Sequence, residues 1–140
     1  MVVLLDTNVV SALRRPERQD IAFRTCLAGI DSETSFLSAI TIMELRFGVQ
    51  QEQKRNPIFS ADLEKWLNEV VLINYSGRIL PFDTAVALRT GTLATPNKRP
   101  SSDAMIAATA LEHRLTVVTR NISNFESLGV PCLNPWAFQG

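Results

Sequence analysis

Short apolar runs alternate with longer amphipathic stretches along this chain. Val2 to Leu5 is a continuous apolar run rich in β-branched residues, which predicts a strand buried on both faces. Asp6-Thr7-Asn8 breaks the run, and Val9 to Arg14 predicts a short helix ending before Pro16. From Asp20, the apolar residues Ile21, Phe23, Cys26 and Leu27 predict a helix that Gly29 stops. Ser35 to Ala39 reads as a second strand. Thr41 to Gln51 follows as a helix, with Ile42, Leu45 and Val49 on one face and Thr41-Ile42-Met43-Glu44 matching a capping box. Pro57 suits the first turn of a longer helix that runs to about Val71. Ile79 to Phe82 is a third strand, and Asp83 caps a helix to about Leu93. Thr95 to Pro100 is a polar, basic loop. Ser101 to His113 predicts a helix whose alanines (Ala104, Ala107, Ala108, Ala110) require a closely packed neighbour. Thr116 to Thr119 is a fourth strand and Cys132 to Asn134 a candidate fifth.

Strands separated by helices imply an α/β fold: three α/β/α layers around a central, mostly parallel sheet of 4–5 strands. A length of 140 residues suits one domain over 1–140, large enough to fold without disulfides or structural metal. Cys26 and Cys132 show no metal spacing and read as buried free thiols. The apolar N-terminus turns polar at Asp6, too early for a signal peptide, and no apolar run approaches a membrane span. A soluble, cytoplasmic protein is expected, with no membrane partner. Formal net charge is +0, so any nucleic-acid binding must come from local basic residues or from metal ions in an acidic pocket.

In sheets of this type, ligands bind beyond the carboxyl ends of the strands. Asp6 follows the first strand, Glu44 falls in the first turn of the helix after the second, and Asp103 in the first turn of the alanine-rich helix. Each acid has a local explanation. Asp6 and Asp83 suit helix caps, Glu44 suits the capping box, and Asp103 suits the positive end of a helix dipole. Those explanations do not account for the convergence of three acids on one edge. Clustered carboxylates repel one another unless a cation neutralises them. An oxygen-only set selects a hard cation, Mg²⁺ or Mn²⁺, and such a site suits phosphodiester hydrolysis.

Asp6-Thr7-Asn8, Glu44-Leu45-Arg46-Phe47-Gly48 and Asp103-Ala104-Met105-Ile106-Ala107-Ala108-Thr109-Ala110 resemble successive motifs of the PIN-domain family. Thr119-Arg120-Asn121, Phe125 and Asn134-Pro135-Trp136 continue the match in the same order over nearly the whole chain. The resemblance is to the VapC and FitB branch of PIN toxins. It implies a metal-dependent endoribonuclease, acting on RNA such as tRNA or ribosomal RNA. It also implies a homodimer silenced by a cognate antitoxin and touching DNA only through that antitoxin. By the same resemblance, Asp6 and Asp103 match the main Mg²⁺ ligands, with Glu44 the third acid. Asn8, Thr119 and Asn121 match polar groups around the metals. Asn124 departs from the pattern, standing where the family commonly has a fourth acid; a carboxamide brings no charge and implies a weaker second metal. Glu126 is turned away if its segment is extended.

Arg14, Arg15 and Arg18, Lys98 and Arg99, and Arg120 are candidate RNA phosphate contacts at the pocket rim; read without the resemblance they are ordinary surface charges. His113 reads as a surface residue at a helix C-terminus. Trp66, Leu67, Phe23 and Leu27 are either core or the walls of a groove for an apolar antitoxin helix. Two further function classes stand beside the nuclease. One is a catalytically weakened PIN protein that acts mainly as the antitoxin's partner on operator DNA, a reading that rests on Asn124. The other is a phosphatase with Asp6 as nucleophile, disfavoured because Asn8 sits where that chemistry needs a second aspartate.

Overall fold

A computed structural model describes residues 1–140. In chain order the elements are β1 (Val3–Leu5), α1 (Thr7–Leu13), α2 (Ile21–Ala28), β2 (Ser35–Ser38), α3 (Ala39–Arg55) and α4 (Pro57–Trp66). A π-helical turn (Leu67–Val71) carries α4 into α5 (Leu72–Asn74), followed by β3 (Ile79–Leu80), α6 (Thr84–Thr92) and α7 (Ser102–His113). β4 (Thr116–Val118), α8 (Ile122–Glu126), β5 (Cys132–Leu133) and a 3₁₀ turn (Pro135–Ala137) close the chain. The strands form one five-stranded sheet in the order β3-β2-β1-β4-β5. Every pairing is parallel, with Leu4 opposite Phe36 on one side and Val117 on the other.

Successive strand residues face opposite sides of a sheet, and β1 divides accordingly. Val3 and Leu5 enter a core with Val9, Val10, Phe23, Leu37, Leu67, Val71 and Val118. Leu4 enters a second core with Ile106, Ala107, Ala110, Val117, Phe125 and Val130. Helices therefore cover both faces, as the element pattern predicts. The alanines of α7 are fully buried because α6, α3, α8 and β4 all pack against that helix. Small side chains permit that approach from several sides. The Leu115 N–H bonds the Ala110 carbonyl around Arg114 (φ 57°), a left-handed stop that anchors the entry to β4.

Several sequence expectations are corrected. Helix α3 begins at Ala39, capped by the Ser38 hydroxyl, which accepts the Ile40 N–H at 3.0 Å. Ser38 ends β2 and reaches the orphan N–H groups first, so Thr41 is not a cap, and Glu44 lies in the second turn. Cys26 is buried, but Cys132 is only partly covered. The segment around Phe125 is helix α8, not extended, and its Glu126 side chain lies on the exposed face. Asp6 and Asp83 do cap α1 and α6, and Ser101, read from the sequence as the first residue of α7, is its cap; each accepts a backbone N–H of its own helix.

Candidate active site

The sheet order reverses at β1: the chain runs outward from β1 through β2 to β3, then returns to place β4 on the other flank. The crevice between the carboxyl ends of β1 and β4 is the topological switch point. Asp6 and Thr119 stand there, each one residue past its strand. The Asp6 N–H bonds the Val118 carbonyl at 2.9 Å, and the Thr119 N–H bonds the Leu133 carbonyl at 2.9 Å. Sheet hydrogen bonding thus extends to both residues and fixes their backbone.

Asp6 is 3% exposed, and its carboxylate is held from three directions. Oδ1 accepts the Thr7 N–H at 2.8 Å; Oδ2 accepts the Thr119 hydroxyl at 2.7 Å and the Asn8 amide at 3.3 Å. The Asn8 side-chain oxygen, Oδ1, accepts the Arg120 N–H at 3.4 Å, and the Thr119 hydroxyl oxygen accepts the Asn121 N–H at 3.0 Å. Asn121 therefore joins the network through its main chain, while its side chain is exposed. Burial is the largest influence on Asp6 and pushes its carboxyl up to about 6, against the opposing pull of the Thr119 and Thr7 hydrogen bonds. The charges of Asp103 and Glu44 push it in the same direction as burial.

Thr7 links two of the acids, a role the sequence reading missed. Its N–H serves Asp6, and its hydroxyl donates to Glu44 Oε1 at 2.6 Å. The Thr41 hydroxyl lies 3.0 Å from the Thr7 hydroxyl and is fully buried. A hydroxyl carries one proton, so with Thr7 donating to Glu44, Thr41 donates to Thr7. Thr41 belongs to this relay and not to a cap. The T-x-x-E pattern did signal a coupled threonine and glutamate, with a third residue between them.

Asp103 is partly exposed in the first turn of α7. Its Oδ2 accepts the Asn124 Nδ2–H at 3.1 Å from α8. A carboxylate can only accept, so the amide nitrogen of Asn124 faces it and the amide oxygen turns elsewhere. A polar pocket of about 240 Å³ opens beside this pair, lined by Thr95, Asn97, Ser101 and Ser127 among others. A second opening of about 350 Å³ begins at Thr7 and Glu44 and runs past Leu45, Phe59, Leu63 and Trp66 to Arg14. Trp66 and Leu67 line it, but Phe23 is fully buried and Leu27 packs against the core, so the groove reading holds for only half of the residues proposed for it.

The donor set fits a hard divalent cation. Asp6, Asp103 and Glu44 offer oxygen alone; Cys26, Cys132 and His113 lie elsewhere, His113 against Val2, Phe36, Leu80 and Leu115. The charges of Asp103 and Glu44 act on Asp6, yet no group of three or more His, Cys, Asp or Glu side chains is gathered closely enough to hold a metal ion as it stands. Mg²⁺ keeps several waters and binds one or two carboxylates directly, so two of these acids could ligate it while the third acts through a bound water.

Of the basic residues, Arg14 lies over the Phe59 ring at 5.1 Å in the groove, and Arg15 pairs with Glu17 at 4.0 Å. Arg18, Lys98 and Arg99 are exposed, the latter two on the loop between α6 and α7. Arg120 stacks on Trp136, with its guanidinium 3.8 Å from the ring centroid.

A family model described as PIN domain matches residues 3–129. The chain is 40% identical over 145 aligned positions to VapC ribonuclease Y4jK of Sinorhizobium fredii, covering 96% of this chain and 98% of that protein. It is 38% identical over 146 positions to toxin FitB of Neisseria gonorrhoeae, covering 96% and 99% respectively. Among solved structures, FitAB bound to an IR36 DNA fragment superposes with a TM-score of 0.86 at 33% identity, covering 99% of both chains.

Proposed function

This chain belongs to the PIN-domain family, and from that premise we propose that it is the ribonuclease toxin of a bacterial type II toxin–antitoxin pair. We propose also that residues 1–140 form one PIN domain, and that its work is the Mg²⁺-dependent hydrolysis of RNA phosphodiester bonds, with Mn²⁺ as a substitute. The observation that carries this reading is the buried Asp6 carboxylate at the β1/β4 crevice, repelled by two neighbouring acids. Such an arrangement favours a bound cation at neutral pH.

Asp6, Asp103 and Glu44 would hold the cation. It would supply a water of lowered pKa and charge stabilisation at the phosphodiester. The residues of the chain fix the acids that surround it. Thr119 and Asn8 orient Asp6 Oδ2, and the Thr7 N–H orients Oδ1. The Thr7 hydroxyl ties Glu44 to the same frame. Arg14, Arg15, Lys98, Arg99 and Arg120 are assigned to RNA phosphates around the rim.

The groove from Glu44 to Trp66 joins an apolar wall to the acidic site, a shape suited to an antitoxin helix whose basic side chain reaches the acids. FitAB binds DNA as an assembly, and a DNA role for this protein is assigned to the antitoxin. Phe47, Ile58 and Ile73 expose more than half of their surfaces and suit a homodimer contact. No helix is long and apolar enough to cross a membrane. Cytoplasmic action is proposed on the same family basis.

One observation favours a second reading. Asn124 gives Asp103 a neutral donor where a fourth carboxylate would have added charge for a metal. A protein weakened in this way would serve mainly to load its antitoxin onto operator DNA. The deciding experiment incubates antitoxin-free protein with total bacterial RNA in Mg²⁺ or Mn²⁺ and maps new 5′ ends. The nuclease reading expects discrete cuts that vanish with EDTA and in D6N and D103N. A folded protein that binds metal but makes no cuts refutes it in favour of the second reading.

A further inference from the structure

Of the five basic residues assigned to RNA, Arg14 and Arg120 each lie over an aromatic ring and outside every ion pair, and only Arg120 is also tied by its main chain to the Asp6 network. It takes part in none of the ion pairs, and its guanidinium makes no hydrogen bond within the chain. One face lies against the Trp136 indole at 3.8 Å. Its main chain is tied to the reacting centre. The Arg120 N–H bonds Asn8, and the preceding residue, Thr119, bonds Asp6. Arg15, by contrast, faces Glu17, and Lys98 and Arg99 lie exposed on a loop.

Trp136 is itself immobilised by elements remote in sequence. Its ring packs on Phe23 of α2, with centroids 4.6 Å apart and planes inclined at 33°, and Phe23 is fully buried. The indole N–H donates to Gln19 Oε1 at 3.1 Å, and the Trp136 main-chain N–H donates to Asn134 Oδ1 at 2.9 Å. The ring is thus a fixed shelf, anchored on the core through Phe23, with the Arg120 guanidinium lying against it. Stacking restricts the guanidinium while leaving its in-plane N–H donors available, the geometry that reads a phosphate with two bonds.

On the nuclease reading, we propose that Arg120 is a phosphate clamp for the RNA strand and that Trp136 is the positioning residue that holds it. The indole sets the plane of the guanidinium before substrate arrives, so less freedom is lost on binding. The clamp stands one residue from Thr119, and so engages a phosphate close to the one that is cut.

The test measures fluorescence anisotropy of a labelled, mixed-sequence single-stranded RNA in Mg²⁺ across a salt series, with all proteins in a D103N background to prevent cleavage. R120A is expected to bind about 5–10-fold more weakly at 0.1 M salt. Its slope of log affinity against log salt should be shallower by about 0.7, the loss of one phosphate contact. R120K should keep the slope and lose about 3-fold in affinity, having charge without the planar fork. W136L should keep the slope and lose about 2–5-fold. W136F, which retains an aromatic face, should bind close to the parent. Melting curves identify any variant that fails to fold, and if W136L does, R120K decides: binding equal to the parent overturns the stacked clamp. Unchanged affinity and slope in R120A overturn the phosphate contact and leave the arginine for protein carboxylates. A loss in R120A with W136L equal to the parent overturns the positioning role. Failure of the nuclease reading itself appears elsewhere, as absence of cleavage by the wild type.

Discussion

Asp6 and Asp103 carry the same carboxyl group in opposite surroundings, close enough for the charge of Asp103 to act on Asp6. Asp6 sits just past the end of the central strand, nearly inaccessible, with three donors on its two oxygens and its carboxyl pushed up to about 6. Asp103 rides on the first turn of a helix, partly exposed beside a polar pocket, with one amide from α8 as its partner. The first is fixed by the sheet and cannot adapt. The second reaches the site from a separate element and can adjust to what binds. The pairing teaches that half of this site is built into the core and is costly when empty, while the other half lies at the mouth and is open to substitution.

The rigid half should show its cost as stability. A carboxyl whose folded value is raised to about 6 binds more protons in the folded state than in the unfolded state between about pH 4 and 6. The metal-free protein should therefore lose stability as pH rises through that window, by on the order of 2–3 kcal/mol. D6N keeps the cap on its one oxygen and turns an NH2 toward Thr119 and Asn8; it carries no charge, so it should abolish that slope. Urea unfolding at several pH values checks both points; a wild-type stability that rises between pH 4 and 6 would contradict the assignment.

T119V tests the same half more gently. It removes the hydroxyl that donates to Asp6 and accepts from the Asn121 N–H, while leaving the side-chain volume nearly unchanged. A destabilisation of about 1–2 kcal/mol is expected, measured at the same pH against D6N/T119V. In the double variant the loss should shrink, because no charge remains to be stranded.

The open half should respond in the opposite direction. N124D places a carboxylate beside Asp103 where the chain now has a neutral amide. The metal-free protein should change little in stability, since both groups reach water. The Mn²⁺ concentration for half-maximal RNA cleavage should fall by about 5–10-fold, one further oxygen ligand being worth about a kcal/mol. An unchanged or higher requirement would show that the amide had not limited metal binding.

The contrast between the halves also explains what could be read from the sequence. The strand runs, the caps at Asp6 and Asp83, and the alanine face of α7 are local patterns, and the structure carries each of them. The expectation that Asp6, Glu44 and Asp103 gather comes from strand-end placement in a parallel sheet, a rule of topology, and the structure shows of it that the charges of Asp103 and Glu44 act on Asp6. The start of α3 was misjudged because Ser38 and Thr41 are both competent caps, and only the end of β2 decides between them. Thr7 went unread as a bridge because its partners Thr41 and Glu44 lie more than thirty residues away, and no spacing encodes that meeting. The Trp136 shelf was hidden for the same reason. Gln19 and Phe23 reach it from around the start of α2, and Arg120 from the end of β4, far along the chain.

The central claim is that Asp6 and Asp103, so differently built, share one cation. Mn²⁺ titration followed by electron paramagnetic resonance, on the wild type, D6N and D103N, tests it most directly. The account predicts saturable binding by the wild type that weakens by at least about tenfold in each variant, since each removes a charged ligand. Wild-type affinity retained in either variant, with the fold intact, would contradict the shared site.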